Sequence, residues 1–185
     1  ELQPPLYFVL LRLWRMAGES LPFARAFSTI CILLTVVVLH RLSRERGLTR
    51  GVFGLALLAA TTPHLLWAAS EARVYALTVL LTSCSLFYFL RLTEGEAPPR
   101  RADQVLYVLS SVAALLTFYY AGFVLLAQGL AGLMSPRRRA LLPCWIAIVV
   151  LMLPWVPTIR MQMATHPNYE VPVDASAPAA LLPWL

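Results

Sequence analysis

Residues 71–90 read EARVYALTVLLTSCSLFYFL, in which a carboxylate at Glu71 and a guanidinium at Arg73 precede an apolar run that ends at Leu90. The run from Ala72 to Leu90 is close to the ~20 residues with which a helix crosses ~30 Å of hydrocarbon. An Arg at the end of such a helix costs less than the about 2.5 to 3.5 kcal/mol of one at its centre, and it tends to face a partner or a wet cavity. The stretch therefore predicts a membrane-spanning helix whose charged start is accessible to a ligand.

The composition of the whole chain is that of a polytopic membrane protein. Of its 185 residues, 59% are hydrophobic and 13% are charged, whereas a soluble domain has about 25% charged residues. Further apolar runs of spanning length are Phe23 to His40, Gly51 to Trp67 and Ala140 to Ile159. The three cysteines lie singly inside apolar runs, without the spacing of a metal site or a redox pair; they are Cys31, Cys84 and Cys144.

The distribution of the fifteen basic residues, all of them arginines, predicts the orientation of the spans. Ten lie in three connecting segments that the positive-inside rule places in the cytoplasm: Arg41, Arg44, Arg46, Arg50, Arg91, Arg100, Arg101, Arg137, Arg138 and Arg139. The three segments share one side only if the 31 residues from Gln104 to Met134 cross twice, with a tight turn near Tyr119 to Gly122. We therefore predict six spans, and we interpret the net charge of +6 as a topology signal rather than as a nucleic-acid surface.

A further helix is predicted to lie on the outer interface, over Pro5 to Ala17. Its apolar residues are interrupted by Arg12 and Arg15, the pattern of an amphipathic interfacial helix. Two helices of about fifteen residues within Gln104 to Met134 would reach only about 22 Å, so the turn between them is expected to line a recessed outer cavity. The predicted fold is an all-α transmembrane bundle of about six spans with one outer-face amphipathic helix.

Five short motifs follow one another along the chain. They are Gln3-Pro4-Pro5-Leu6-Tyr7-Phe8 with Leu13-Trp14 behind it, Ala24-Arg25-x-x-Ser28, Pro63-His64 leading into Glu71-Ala72-Arg73-Val74-Tyr75-Ala76-Leu77, Thr117-Phe118-Tyr119-Tyr120-Ala121-Gly122, and Leu153-Pro154-Trp155-Val156-Pro157. In this order they resemble a group of C-type glycosyltransferases, the dolichyl-phosphate-mannose protein mannosyltransferase and aminoarabinose transferase-like family. Gln3 and Phe118 depart from the pattern, since the family often has His at both positions.

The resemblance implies a membrane glycosyltransferase in the bacterial cytoplasmic membrane. Such an enzyme moves one sugar, with inversion, from a polyprenyl-phosphate donor to a lipid, glycan or protein acceptor at the outer face. The base would be an Asp on an outer loop upstream of Glu1. Residues 1–185 are thus expected to form a single transmembrane region that lacks the first span, the catalytic loop and the C-terminal part, and to be inactive alone. No cofactor is certain, a divalent metal stays open, and no nucleic-acid partner is expected.

The candidate substrate-binding residues centre on Arg73. Its planar guanidinium suits bidentate contact with a phosphate. In the functional interpretation Glu71 fixes this guanidinium, and Tyr75 could add a hydroxyl to the same site. The other candidates are expected on the same outer side: Gln3, Tyr7, His64, Tyr119 and Tyr120.

Each candidate also has a purely structural interpretation. Arg73 could be an interfacial anchor beside a helix start that favours Glu71, and the tyrosines could form an interfacial aromatic belt. At the level of function, a transporter or flippase of lipid-linked sugars would hold the phosphate without chemistry, and an inactive relative would keep the motifs alone. The acidic residues of the upstream loop would separate these alternatives.

Overall fold

The computed structural model describes residues 4–47, 62–94 and 99–165, of which 64, 65 and 162–165 are described by their backbone alone. The helices are α1 (Leu6–Arg15), α2 (Leu21–Glu45), α3 (Pro63–Ser70), α4 (Val74–Glu94), α5 (Arg101–Thr117), α6 (Ala121–Met134), α7 (Arg138–Met152) and, after a 3-10 turn at Leu153–Trp155, α8 (Val156–Thr165). The part of the chain that is described contains no strand, which confirms the all-α prediction. The described residues up to Met152 form one compact unit, and the 3-10 turn and α8 belong to a second.

Three stretches of the described chain are long and apolar enough to cross a membrane. They are Leu21–Glu45, Val74–Glu94 and Arg138–Met161. The helix Ala121–Met134 is apolar but shorter, and most of the predicted span from Gly51 to Trp67 lies outside the described residues. Three apolar helices of spanning length mark the chain as an integral membrane protein.

Local sequence signals set the ends of α2. Ser20 is its N-cap, with the side-chain oxygen accepting a hydrogen bond from the Phe23 backbone N–H at 3.4 Å, and Pro22 stands in the first turn where no N–H is needed. The helix stops before Gly47, whose φ of +69° is a left-handed conformation that glycine adopts without steric cost. These signals extend α2 beyond the predicted apolar run into the arginine-rich segment.

Helix α1 docks against the first turns of α2. The Trp14 indole N–H donates to the Phe23 carbonyl at 2.8 Å, and the two rings stack with centroids 4.9 Å apart. Gly18 lies in the turn between them, where a Cβ would stand 3.0 Å from the Phe23 ring. The predicted helix over Pro5 to Ala17 is therefore present, and it is held on α2 by a polar and an aromatic contact.

Helices α5 and α6 form a hairpin, as predicted for Gln104 to Met134. Phe118 has extended backbone angles and ends α5, and α6 begins at Ala121. The hairpin packs on α4: Ser85 of α4 lies 3.0 Å from the Ser111 hydroxyl of α5 and donates at 3.0 Å to the Gln128 side-chain oxygen of α6. All three side chains are buried, so this polar cluster ties three helices together in an otherwise apolar bundle.

A second set of polar contacts lies where α2 and α4 end and α5 begins. Arg91 lies 3.8 Å from Glu45 and 3.3 Å from Asp103, and Arg46 pairs with Glu94. The start of α7 joins the same end, since the side-chain amide of Gln104 donates to the Ala140 carbonyl at 3.0 Å. The described parts of the three arginine-rich segments thus adjoin one end of the bundle, called here the arginine-rich end.

Candidate functional site

The opposite end of the bundle brings together the segments that carry the sequence motifs. Here α1, the first half of α2, α3 and the start of α4 share one apolar core, and Phe118 from the α5–α6 turn packs against it. The buried members of this core are Tyr7, Cys31, Ile32, Ala68, Val74, Ala76 and Leu77. The Thr29 hydroxyl of α2 donates a hydrogen bond to the Ala69 carbonyl of α3 at 3.1 Å, which holds α3 on this core. We call this region the motif end.

Glu71 and Arg73 occupy a break between two helices at the motif end. Helix α3 stops at Ser70, Glu71 has extended backbone angles, and α4 starts at Val74. The Arg73 Nε lies 3.5 Å from a Glu71 carboxylate oxygen, and the Arg73 side chain is 60% exposed. An ion pair this exposed stabilises a fold by about 1 kcal/mol at most. The pairing leaves the Arg73 guanidinium accessible.

A row of aromatic rings runs beside this break. The ring of Tyr75 lies 5.1 Å from that of Trp67 and 5.9 Å from that of Phe118, and Phe118 lies 5.1 Å from Tyr120. Tyr120 continues the row to Phe123, at 6.1 Å, and is itself exposed. The row thus links α3, α4 and the α5–α6 turn. Such a surface can cover apolar groups with its ring faces and form hydrogen bonds through its tyrosine hydroxyls.

Neither Trp67 nor Phe118 was predicted as a site residue, yet both belong to the aromatic row. Phe118 stood out only as a departure from the family's His, yet its ring bridges Tyr75 and Tyr120. Trp67 lies eight residues before Tyr75 in the sequence and meets it only because the chain turns back at Glu71–Arg73. No periodicity reveals such a contact, although the aromatic content of both motifs is a weak signal for it.

Tyr7 and Ser28, each from a different motif, are buried between α1 and α2. Their exposed fractions are 2% and 0%, and in the described chain neither hydroxyl has a hydrogen-bond partner. Burial raises the pKa of Tyr7 to about 12. The Tyr7 ring packs against Phe27 with centroids 6.1 Å apart. Tyr7 is thus part of the buried core at the motif end rather than of its exposed surface.

The other predicted residues are placed less fully. Tyr119 is half-buried in the α5–α6 turn, where desolvation raises the pKa of its phenol above the ordinary value. His64 belongs to the first turn of α3, but its side chain is not described, and Gln3 lies outside the described residues. Where side chains are described, no three or more His, Cys, Asp or Glu residues cluster as a metal site would require.

Comparison of the chain with protein-family models, with curated proteins and with solved structures finds no match. The resemblance to C-type glycosyltransferases therefore rests on the motifs themselves and stays a prediction.

Proposed function

We propose that the chain is part of a membrane glycosyltransferase that moves a sugar from a polyprenyl-phosphate donor to an acceptor at the outer face of the membrane. The observation that carries the proposal is the accessible Arg73, paired with Glu71 and flanked by the Tyr75 aromatic row. This one surface offers a cation for the phosphate and rings for the sugar and the prenyl chain. Its contributing segments are the ones that the motifs single out.

The proposed chemistry assigns Arg73 to the leaving group. When the sugar leaves, negative charge builds on the phosphate of the lipid, and a positioned guanidinium stabilises that charge as it develops. Glu71 would keep the guanidinium at the helix break, while Tyr75 and Tyr120 would contact the sugar or the first prenyl units. By the family resemblance, the base that activates the acceptor would be an Asp.

The proposed topology has six spans, with the arginine-rich end in the cytoplasm and the motif end outside. The shared end of the three arginine-rich segments supports this orientation. The α5–α6 hairpin, whose turn lies at the motif end, supports the proposal that Gln104 to Met134 crosses the membrane twice. A polyprenyl-phosphate sugar in the outer leaflet would then meet Arg73 at headgroup depth.

The test replaces Arg73 with Lys in the full-length protein. Arg73→Lys keeps the charge but loses the bidentate fork, so donor use should fall by about 10- to 100-fold, the equivalent of one or two charge-assisted hydrogen bonds. Arg44→Lys is the matched control, because Arg44 is exposed at the other end of α2. Donor binding, sugar transfer and thermal stability are measured in nanodiscs with a radiolabelled polyprenyl-phosphate sugar.

Three outcomes are distinct. Reduced transfer with unchanged stability in the Arg73 variant, but not in the control, supports the proposal. Wild-type transfer by Arg73→Lys would show that Arg73 is only an interfacial anchor. Donor binding that depends on Arg73 without any transfer in the wild-type protein would instead favour a transporter or flippase.

A further inference from the structure

The outward face of α1 combines basic and apolar side chains. While Tyr7, Leu10 and Leu11 pack toward the core at the motif end, Arg12 and Arg15 are exposed on the other side. Around them, four large apolar side chains are also open to the surroundings, with exposed fractions of 47% to 81%: Phe8, Val9, Leu13 and Met16. An exposed helix face of this composition is suited to the headgroup layer of a bilayer.

Arg12 and Arg15 line one groove on this face. The groove has a volume of about 390 Å³, and its lining consists of Phe8, Leu11, Arg12, Arg15, Met16 and Glu19. The two arginines are three positions apart, so their side chains leave the same side of the helix. None of the described carboxylates forms an ion pair with either arginine, so both guanidinium groups are available to a ligand.

We propose that this groove binds the phosphodiester headgroup of a membrane phospholipid. Two arginines and one glutamate give the lining side chains a net charge of +1, which matches in magnitude the single negative charge of a phosphodiester. The guanidinium forks of Arg12 and Arg15 bind the phosphate oxygens. Phe8 and Met16, which border the same groove, contact the acyl chains, so the ligand is a lipid rather than a free phosphate ion.

This lipid site is separate from the proposed reaction. Arg73, Glu71 and the Tyr75 aromatic row are absent from the groove lining, and Arg12 and Arg15 have no role in the proposed transfer. Because Trp14 donates to the Phe23 carbonyl and so joins α1 to α2, a lipid bound to α1 would hold this part of the protein at the membrane surface. The site can therefore be tested by binding alone, whether or not the protein transfers sugar.

The test compares lipid binding by the wild-type chain, Arg12→Gln/Arg15→Gln and a matched control, Arg41→Gln/Arg44→Gln. The control removes two exposed arginines with the same spacing from the other end of α2. Native mass spectrometry in detergent counts bound phosphatidylglycerol, phosphatidylethanolamine and diacylglycerol, the last of which has no phosphate. At about 1 kcal/mol per arginine near an anionic lipid headgroup, the α1 variant should bind phosphatidylglycerol roughly 30-fold more weakly. It should also bind phosphatidylethanolamine more weakly, and diacylglycerol should not bind at the site.

Several results would overturn the proposal. An equal loss in the control pair would show a general effect of charge, and strong diacylglycerol binding would show that the phosphate is not recognised. Displacement of the lipid by inorganic phosphate at equal concentration would identify a phosphate-ion site instead. If the Arg12→Gln/Arg15→Gln variant does not fold, Arg12→Lys/Arg15→Lys is measured instead. This variant keeps both charges but lacks the guanidinium groups, so it should still bind phospholipid several-fold more weakly. Unchanged binding would contradict bidentate contact of Arg12 and Arg15 with the phosphate.

Discussion

At the scale of single residues, the Tyr7 hydroxyl is the most unusual group at the motif end. It is buried next to Ser28 without a hydrogen-bond partner among the described residues. An unpaired buried hydroxyl costs about 1 to 3 kcal/mol. Tyr7→Phe should therefore leave the stability of the protein unchanged or raise it, and Ser28→Ala should do the same. Thermal unfolding of the purified protein in detergent measures this, and a loss above about 1 kcal/mol would show that the hydroxyl has a partner.

The same residue predicts a dependence on pH. The pKa of Tyr7 is about 12 in the folded chain, above the value of about 10 for an exposed tyrosine. Between pH ~10 and 12 the folded state keeps the Tyr7 proton while the unfolded state loses it. The stability that Tyr7 contributes by keeping this proton is therefore complete below pH ~10 and is lost as pH rises towards 12. Tyr7→Phe lacks this contribution, and its stability should decline less over that range than the wild-type stability does.

Several residues of the motif end could be predicted as neighbours, but which of them are buried could not. The motifs indicated Arg73, Glu71 and Tyr75 as neighbours, and the structure pairs the first two at 3.5 Å. The burial of Tyr7 could not be predicted, because it depends on how α1 lies against α2. Helix α1 is held on α2 by the Trp14 contact with Phe23, which joins residues nine positions apart across a turn.

At the scale of helices, two glycines of α6 make a matched pair. A Cβ on Gly132 would stand 2.7 Å from both Leu141 and Trp145 of α7, whereas a Cβ on Gly129 would meet nothing within 4 Å. Replacing Gly by Ala in a helix gains about 0.5 to 1 kcal/mol, but overpacking costs about 1 to 3 kcal/mol. Gly129→Ala should therefore stabilise the protein and Gly132→Ala should destabilise it, as measured by thermal unfolding in detergent. Equal effects at the two positions would contradict the close α6–α7 packing.

The positions of the helices were largely predictable, because the lengths of the apolar runs and the residues at the turns determine them. Two helices within Gln104 to Met134 were predicted from the placement of the arginines. In the structure the turn between these helices falls at Phe118 to Tyr120. The polar cluster of Ser85, Ser111 and Gln128 was not predicted. A single Ser or Gln in an apolar helix is ordinary, and only the packing of three helices brings these side chains within 3.0 Å.

At the scale of the whole molecule, the six-span topology is tested by cysteine labelling. In a background with Cys31, Cys84 and Cys144 replaced by Ala, a membrane-impermeant reagent should label Glu19→Cys and Ser70→Cys from outside intact cells. Cysteines at Arg44 and Ser135 should be labelled only after the membrane is opened, because they adjoin arginine-rich segments. Outside labelling at Ser135 would show that Gln104 to Met134 crosses once, and the six-span proposal would be wrong.

The arginine pattern predicted a shared end for three connecting segments, but not the contacts that build it. Arg91 interacts with both Glu45 and Asp103, and these carboxylates come from helices on either side of it in the sequence. Charge counting gives the side of a membrane for each segment, since it depends only on local composition. The pairing of charges depends on helix packing, which composition does not specify.

The central claim is that the protein transfers sugar from a lipid phosphate, and one measurement tests it most directly. The full-length protein in nanodiscs is given a polyprenyl-phosphate sugar labelled in the sugar, with cell-envelope extract as the source of acceptor, and the fate of the label is followed. Our account predicts that the label leaves the lipid, that free polyprenyl phosphate appears in equal amount, and that Arg73→Lys slows both by about 10- to 100-fold. Label that stays on the lipid, with donor bound to the wild-type protein, would contradict it.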